Sequence, residues 1–481
     1  MSIRALIAAF LIICLPFASL ARTAGSDEIG AKEHPNILRE FGGAIGNKAL
    51  SDYVQNLGLS LVALTTESQE RWTFTVLDSP VVNAFALPGG YVYVTRGLLA
   101  LANNEAELAS VLGHEIGHII AAHGEARIRR NNQAGIGVIL GTILGGVLGG
   151  SEGAADAIEL GSTIAGGILA THSKSEELEA DATGIRLLAD AGYDPFAAAA
   201  FLQQLSAKEA LERRIAGQQY NPNVVDFFAS HPATGQRKKI ATDIASKRGE
   251  NASKRLAEAP YLNQIDGMIY GDSAAQGFIR GQSFSHPQMR FSFTLPDGFI
   301  LQNASTNVSA TSKTGARFVL TGDLKWPHAM PSYITDRWLA QLRQEVQVND
   351  LWDIRALKIN GLAAATATAD ITTNEGKKVL QMIALRHGDS TIRLIGVTDR
   401  SDGKTRNALN TAMQSFRKLS PSEVAALKPY RIRILKVTNQ SVSQLSAKMP
   451  LTGFQAEQFR VMNGYSGGQS PRSGDLVKVV E

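Results

Sequence analysis

The sequence predicts a multidomain chain. A mainly α domain with a small β element comes first, then an α+β domain on an antiparallel sheet, then a small β-α-α-β unit. Three observations carry this reading. At 481 residues the chain is too long for one hydrophobic core. Helical periodicity dominates residues 35–255, whereas residues 280–420 alternate apolar and polar positions, as in "RFSFTL", "ARFVLTGDL" and "STIRLIGVTD". After "LSPSEVAALKP" a further unit of different texture covers residues 429–481.

The N-terminus reads as an address. In "MSIRALIAAFLIICLPFASLARTAG", Arg4 precedes an apolar run from Ala5 to Phe17, and small residues follow. Residues 1–21 are therefore expected to be a signal peptide cut before Arg22. The run is short for a membrane span of about 20 residues. Ile13 stands before Cys14, where a lipid-attachment site wants a small residue. Cys14 is the only cysteine, so the exported chain would have no disulfide, and any metal site must use His, Asp and Glu. Hydrophobic content of 44% and charged content of 19% belong to a folded protein. A net charge of +4 gives no case for a nucleic-acid partner.

Within the helical domain, "VVNAFAL" and "YVYVT" read as two strands joined by Pro88-Gly89-Gly90, a type II turn sequence. An exposed strand there could pair with an extended peptide, and a plain core hairpin is equally compatible. Next comes "NNEAELASVLGHEIGHIIAAHG", a helix with Asn103 or Asn104 as N-cap and Glu105 and Glu107 in its first turn. On a helix of roughly 100° per residue, His114 and His118 share one face, so their imidazoles can grip one Zn²⁺. Glu115 stands about 100° round from His114, near the metal but off the ligand line, which suits a general base. His123 lies about 180° from His114 on a continuous helix and is expected to point away as a structural residue.

A third ligand must come from elsewhere. "THSKSEELEADATGIRLLADAGYDP" predicts a second helix, capped by Ser173 with Glu176 and ended at Gly192. Glu177 and Asp181, four apart on one face, offer a carboxylate ligand and an acidic neighbour to steady it. Taken alone, such a pair is commonly a solvated face. Beside an HExxH lacking a ligand, it completes a His₂Glu set. Between the two helices, "AGIGVILGTILGGVLGG" at 134–150 is apolar, glycine-rich and short for a span. It is expected to pack over the active site as a lid or a membrane-touching surface.

"HEIGH" followed by "EELEAD", with "NAFALPGGYVYVTRGLL" before and "SHPATGQRKK" after, resembles the gluzincin zinc metallopeptidases of peptidase family M48, the CAAX prenyl protease, HtpX and BepA type. The resemblance covers most of residues 40–250. It implies a zincin-like fold, one Zn²⁺ held by His114, His118 and Glu177, Glu115 as catalytic base, and Asp181 orienting the ligands. It also implies that His231 lies near the metal, where it blocks or assists, although a loop histidine beside a proline is often simply exposed. Arg237 fits the same element and also belongs to the basic run Arg237-Lys238-Lys239.

Residues 429–481 are similar to a LysM module, through the β-α-α-β order of "YRIRILKV", "SVSQLSAKM", "AEQFRVMNG" and "DLVKVV". That similarity implies glycan binding, with peptidoglycan as candidate partner; a small structural appendage is the alternative. The α+β domain at 280–420 concentrates no catalytic residue types. The expected protein is thus an exported, periplasmic zinc metalloendopeptidase, peripheral to the outer membrane or cell wall. It would act on unfolded or misassembled envelope proteins, with the outer-membrane assembly machinery as a further candidate partner. The other reading is an envelope scaffold, chaperone or peptidoglycan-binding protein whose protease site is self-blocked or vestigial.

Overall fold

The computed structural model describes residues 24–126, 172–216, 231, 235–247, 253–344, 346–373 and 376–481. The expected signal peptide and the glycine-rich stretch at 134–150 lie outside the described residues. Among the described residues, no helix is long and apolar enough to cross a membrane.

The N-terminal region is helical around a three-stranded sheet of β1 (Thr73–Leu77), β2 (Ala84–Leu87) and β3 (Tyr91–Thr95), in the order β1-β3-β2. Strand β3 runs parallel to β1 and antiparallel to β2, which leaves β2 at the edge. Gly89 and Gly90 both take positive φ between β2 and β3, the conformation a tight turn asks of glycine. Helix α1 (Ala24–Glu40) covers this hairpin, with Ile37 and Phe41 packed on Phe85, Leu87 and Tyr93. Helix α2 (Lys48–Val62) buries Leu50, Val54, Leu57 and Leu61 into the main core.

A short helix α3 (Arg96–Leu101) leads into α4 (Glu105–Ile120), whose residues Glu105 to Ile119 are all buried. Helices α5 (Lys174–Asp190), α6 (Phe196–Ala216) and α7 (Gly235–Lys247) complete the region. Asn104 caps α4, and a Ser173/Glu176 capping box opens α5. The core continues past residue 255: Tyr261, Leu262 and Ile265 of α8 (Glu258–Ile265), and Met268, pack in the same cluster.

The second region is rich in antiparallel sheet. After β4 (Ile269–Tyr270) come β5 (Phe278–Arg280), β6 (Ser283–His286), β7 (Phe291–Thr294), β8 (Phe299–Asn303), β9 (Asn307–Ser312) and β10 (Arg317–Leu324). Then follow β11 (Gln347–Ile359), β12 (Leu362–Thr373), β13 (Gly376–His387), β14 (Ser390–Asp399) and the short β15 (Arg417–Lys418). Seven of these form one antiparallel sheet in the order β11-β12-β13-β14-β10-β9-β8. Alternating burial along β12 sends Ala365, Ala367 and Ala369 to one face, where Trp338 and Leu342 of the helical segment 330–342 pack. The opposite face packs Leu409, Met413 and Phe416, at and just beyond the helix Gly403–Gln414.

The terminal unit runs strand, helix, helix, strand: β16 (Tyr430–Lys436), Val442–Ser446, Gln455–Met462 and β17 (Leu476–Val480). It does not hang free. β16 pairs with both β17 and β4, and Ile432 enters the core of the N-terminal region. Lys478 of β17 is fully buried against that region.

Candidate metal centre

Helices α4 and α5 cross closely because small residues line the seam. A Cβ added to Gly113 would lie 3.1 Å from Gly184 Cα, and one on Gly117 would lie 3.1 Å from Ala180 Cα. At Gly184 an added Cβ would sit 2.8 Å from the His114 backbone nitrogen, closer than packed atoms allow. Larger side chains here would push the helices apart, so this glycine seam lets the flanking polar side chains meet.

They meet at four donors. Nε2 of His114 and Nε2 of His118 are 3.0 Å apart. Glu177 brings Oε1 to 3.3 Å from His118 Nε2 and Oε2 to 3.6 Å from His114 Nε2. His231 brings Nδ1 to 3.2 Å from His114 Nε2 and 2.8 Å from Glu177 Oε1. One donor atom from each of the four lies within 4.8 Å of all the others, and all four residues are buried. Four ligands at about 2.1 Å from a tetrahedral ion would stand about 3.4 Å from one another, so this nitrogen and oxygen set fits a metal.

Glu115 is also buried, and its Oε1 has no hydrogen-bond partner among the described residues. That oxygen lies 3.6 Å from His231 Nε2. Burial pushes the Glu115 carboxyl pKa up, against the pull of His231 and His114. A carboxylate with a raised pKa and an unused acceptor beside a donor cluster can accept and return a proton.

An acid–base frame surrounds the cluster. Asp181 Oδ1 lies 2.9 Å from His114 Nδ1. Arg237, near the start of α7 and buried, donates from Nη2 to Asp181 Oδ1 at 2.7 Å and from Nε to Oδ2 at 2.8 Å. Its Nη1 reaches Glu177 Oε2 at 2.6 Å. Burial works against the Asp181 carboxylate, but the hydrogen bonds from Arg237 and His114 outweigh it and hold the pKa down to about 2. Glu177 is likewise held far below the usual carboxylate range by His231 and His114, despite burial. Burial drives His118 well below its ordinary value. At His114 burial is outweighed by Glu177 and Asp181, and the pKa rises.

His123 departs from the expectation that it points away. Helix α4 ends at Ile120, and Ala122 takes a φ of 52°, so the chain doubles back. His123 Nδ1 thereby comes within 2.8 Å of His118 Nδ1. The extrapolation of a continuous helix failed because a left-handed residue, an alanine with no glycine to signal it, intervenes. His172 went unnoticed in the sequence: its ring stacks on His118 with centroids 3.8 Å apart. Its place just before the Ser173 cap was the one available hint. Arg237, which fits the resembled family element as well as a basic run, is turned inward, and nothing in the local charge pattern alone announces that.

The molecule resembles known proteins over the region that builds this centre. The family model described as peptidase family M48 matches residues 48–245. A Yersinia pestis protein named β-barrel assembly-enhancing protease is 34% identical over 213 residues, covering 44% of this chain and 42% of that protein. Its Escherichia coli (strain K12) counterpart is 32% identical, with the same coverage. The Arabidopsis thaliana mitochondrial metalloendopeptidase OMA1 is 31% identical, covering 43% of this chain and 36% of its own length. The chain spans about half or less of the length of such relatives; for a Vibrio cholerae protein of the assembly-enhancing kind it is 53%.

Proposed function

We propose, from the premise that residues 48–245 make this chain a carrier of a peptidase family M48 domain, that the protein is a zinc-dependent metalloendopeptidase. The observation that carries the reading is the convergence of four buried donors beside a carboxylate with an unused acceptor. His114 Nε2, His118 Nε2 and a Glu177 oxygen would hold the ion. Zinc in such a set polarises a carbonyl and lowers the pKa of water. Glu115 takes the proton from the attacking water and passes it to the leaving amine. Asp181 keeps the His114 Nδ1 proton engaged, which leaves Nε2 free to bind, and Arg237 balances the charge of Asp181 and Glu177. The edge strand β2 offers an extended substrate backbone a ladder to join.

Substrates in this reading are unfolded or misassembled cell-envelope proteins, met in the periplasm after export by residues 1–21. Support comes from the relatives named as β-barrel assembly-enhancing proteases. The unit at 429–481 has the strand–helix–helix–strand order of a LysM-like module and would add contact with peptidoglycan.

A second reading has its own observation. His231 Nδ1 lies among the donors, so it can serve as a fourth ligand that closes the site, as a scaffold or a resting protease would require. Zinc content and casein cleavage of wild type, Glu115→Gln and His231→Ala separate the two. Zinc with cleavage in wild type, and zinc without cleavage in Glu115→Gln, supports the protease. Cleavage appearing only in His231→Ala supports the closed form. Wild type without zinc contradicts both.

A further inference from the structure

The cluster has an outer side that the proposed mechanism does not use. Helix α4 directs the Nε2 of His118 at the donors and its Nδ1 at His123. We propose that His123 and Glu179 form a relay that fixes the tautomer of His118, making His123 a positioning residue for the metal site. This rests on the metal-site reading above.

A neutral imidazole carries one N–H and one lone pair. His118 Nε2 sits 3.0 Å from His114 Nε2 and 3.3 Å from Glu177 Oε1, so metal binding requires its lone pair there. The proton then resides on Nδ1, which lies 2.8 Å from His123 Nδ1. His123 must accept at Nδ1 and therefore carries its own proton on Nε2. That atom lies 3.3 Å from Glu179 Oε2, a carboxylate acceptor whose side chain is 65% exposed. Each donor in the chain has an acceptor, and the last acceptor faces solvent.

Local structure serves this geometry. The left-handed Ala122 turns His123 back, and a Cβ built on Gly124 would lie 3.3 Å from the Pro88 ring, so the turn is seated on the β2–β3 hairpin. The two histidine ligands are thus held differently. His114 meets a buried carboxylate directly, whereas His118 reaches an exposed one through a second imidazole.

His118, His123 and His172 also bring nitrogens within 4.8 Å of one another, which suggests a second ion. The rings oppose that. His118 and His172 stack at 3.8 Å with 25° between planes, and in-plane lone pairs of near-parallel rings do not meet on one ion. A shared ion would also require His118 to give up its Nδ1 proton.

The test measures zinc stoichiometry and affinity by chelator competition for wild type, His123→Phe, His123→Gln and Glu179→Gln. It adds ¹⁵N-histidine NMR of the zinc-free wild type. The relay predicts one zinc per chain and a 10–100-fold affinity loss in His123→Phe. It also predicts partial recovery in His123→Gln, whose amide oxygen accepts the same proton, and a loss of about threefold or less in Glu179→Gln, whose amide oxygen still accepts. His118 should appear as the Nδ1–H tautomer, a readout that a packing role for His123 would not set and that needs no variant to fold. One zinc per chain with unchanged affinity in His123→Phe overturns the relay, as does an Nε2–H tautomer of His118. Two zincs per chain overturn it in favour of the second ion. Wild type without zinc overturns the metal-site reading itself, a distinct result.

Discussion

At the metal centre, buried side chains bring ring nitrogens and carboxylate oxygens together. At Lys478, a buried ammonium aims its protons at carbonyls. Both places bury charge, which costs several kcal/mol per ion unless partners are supplied. Lys478 Nζ donates to the carbonyls of Ala100, Leu101 and Ala102 at 2.8, 2.9 and 2.6 Å, ending helix α3. Asn463 accepts from the Lys478 N–H and donates to its carbonyl, locking β17 to the preceding helix. Every donor there has its acceptor. In the other cluster, His114, His118, Glu177 and His231 each bring one potential ligand atom within 4.8 Å of the others. The contrast separates a joint, complete in itself, from a site shaped for a cation. The joint also matters to the site: residues 100–102, gripped by Lys478, lead directly into α4.

The comparison breaks first at Glu115. Glu115→Gln should lower proteolysis by about 10²–10⁴-fold while zinc stays bound, read by casein turnover and metal content. Asp181→Asn should weaken zinc by roughly 10–100-fold with a smaller effect on unfolding, because the amide offers one acceptor oxygen where Asp181 uses two for His114 and Arg237, and its NH₂ then faces a donor. Gly184→Ala forces a Cβ against the His114 backbone and should cost about 1–3 kcal/mol in denaturant unfolding, along with zinc affinity. Lys478→Met should cost a similar ~1–3 kcal/mol by stranding carbonyls, yet leave zinc affinity near wild type. Equal losses of zinc in Asp181→Asn and Lys478→Met would erase the distinction between site and joint.

The smallest effect is in pH. Burial pushes the Lys478 pKa below its ordinary value, against the pull of Glu107 and Glu258. Between the lowered folded value and the ordinary value of the unfolded chain, the unfolded chain holds a proton that the folded chain releases, so stability rises with pH across that window. The stability of wild type relative to Lys478→Met should therefore grow between about pH 8 and 10, measured by urea unfolding at each pH. A flat difference would mean that the three carbonyls hold the ammonium charged throughout.

Some of this architecture was legible in the chain and some was not. Helix caps at Asn104 and Ser173, the turn at Gly89-Gly90 and the strand alternation of β7, β10 and β14 are local signals, and the elements form where those signals stand. The meeting of His114, His118 and Glu177 follows from i, i+4 spacing on one helix and a carboxylate on another. Nonlocal facts escaped. The return of His123 depends on one left-handed alanine, the inward turn of Arg237 on α7 packing against α5, and the burial of Lys478 on a neighbouring region. In "DLVKVV" a lysine in an alternating strand reads as solvent-facing, because only the docked partner reveals the acceptors.

Zinc per chain, measured by mass spectrometry in purified wild type, Glu115→Gln and His118→Phe, decides whether the four-residue cluster is a metal site. One zinc is expected in the first two and near none in the third. Wild type without zinc, or His118→Phe retaining a full equivalent, would contradict a metal site there.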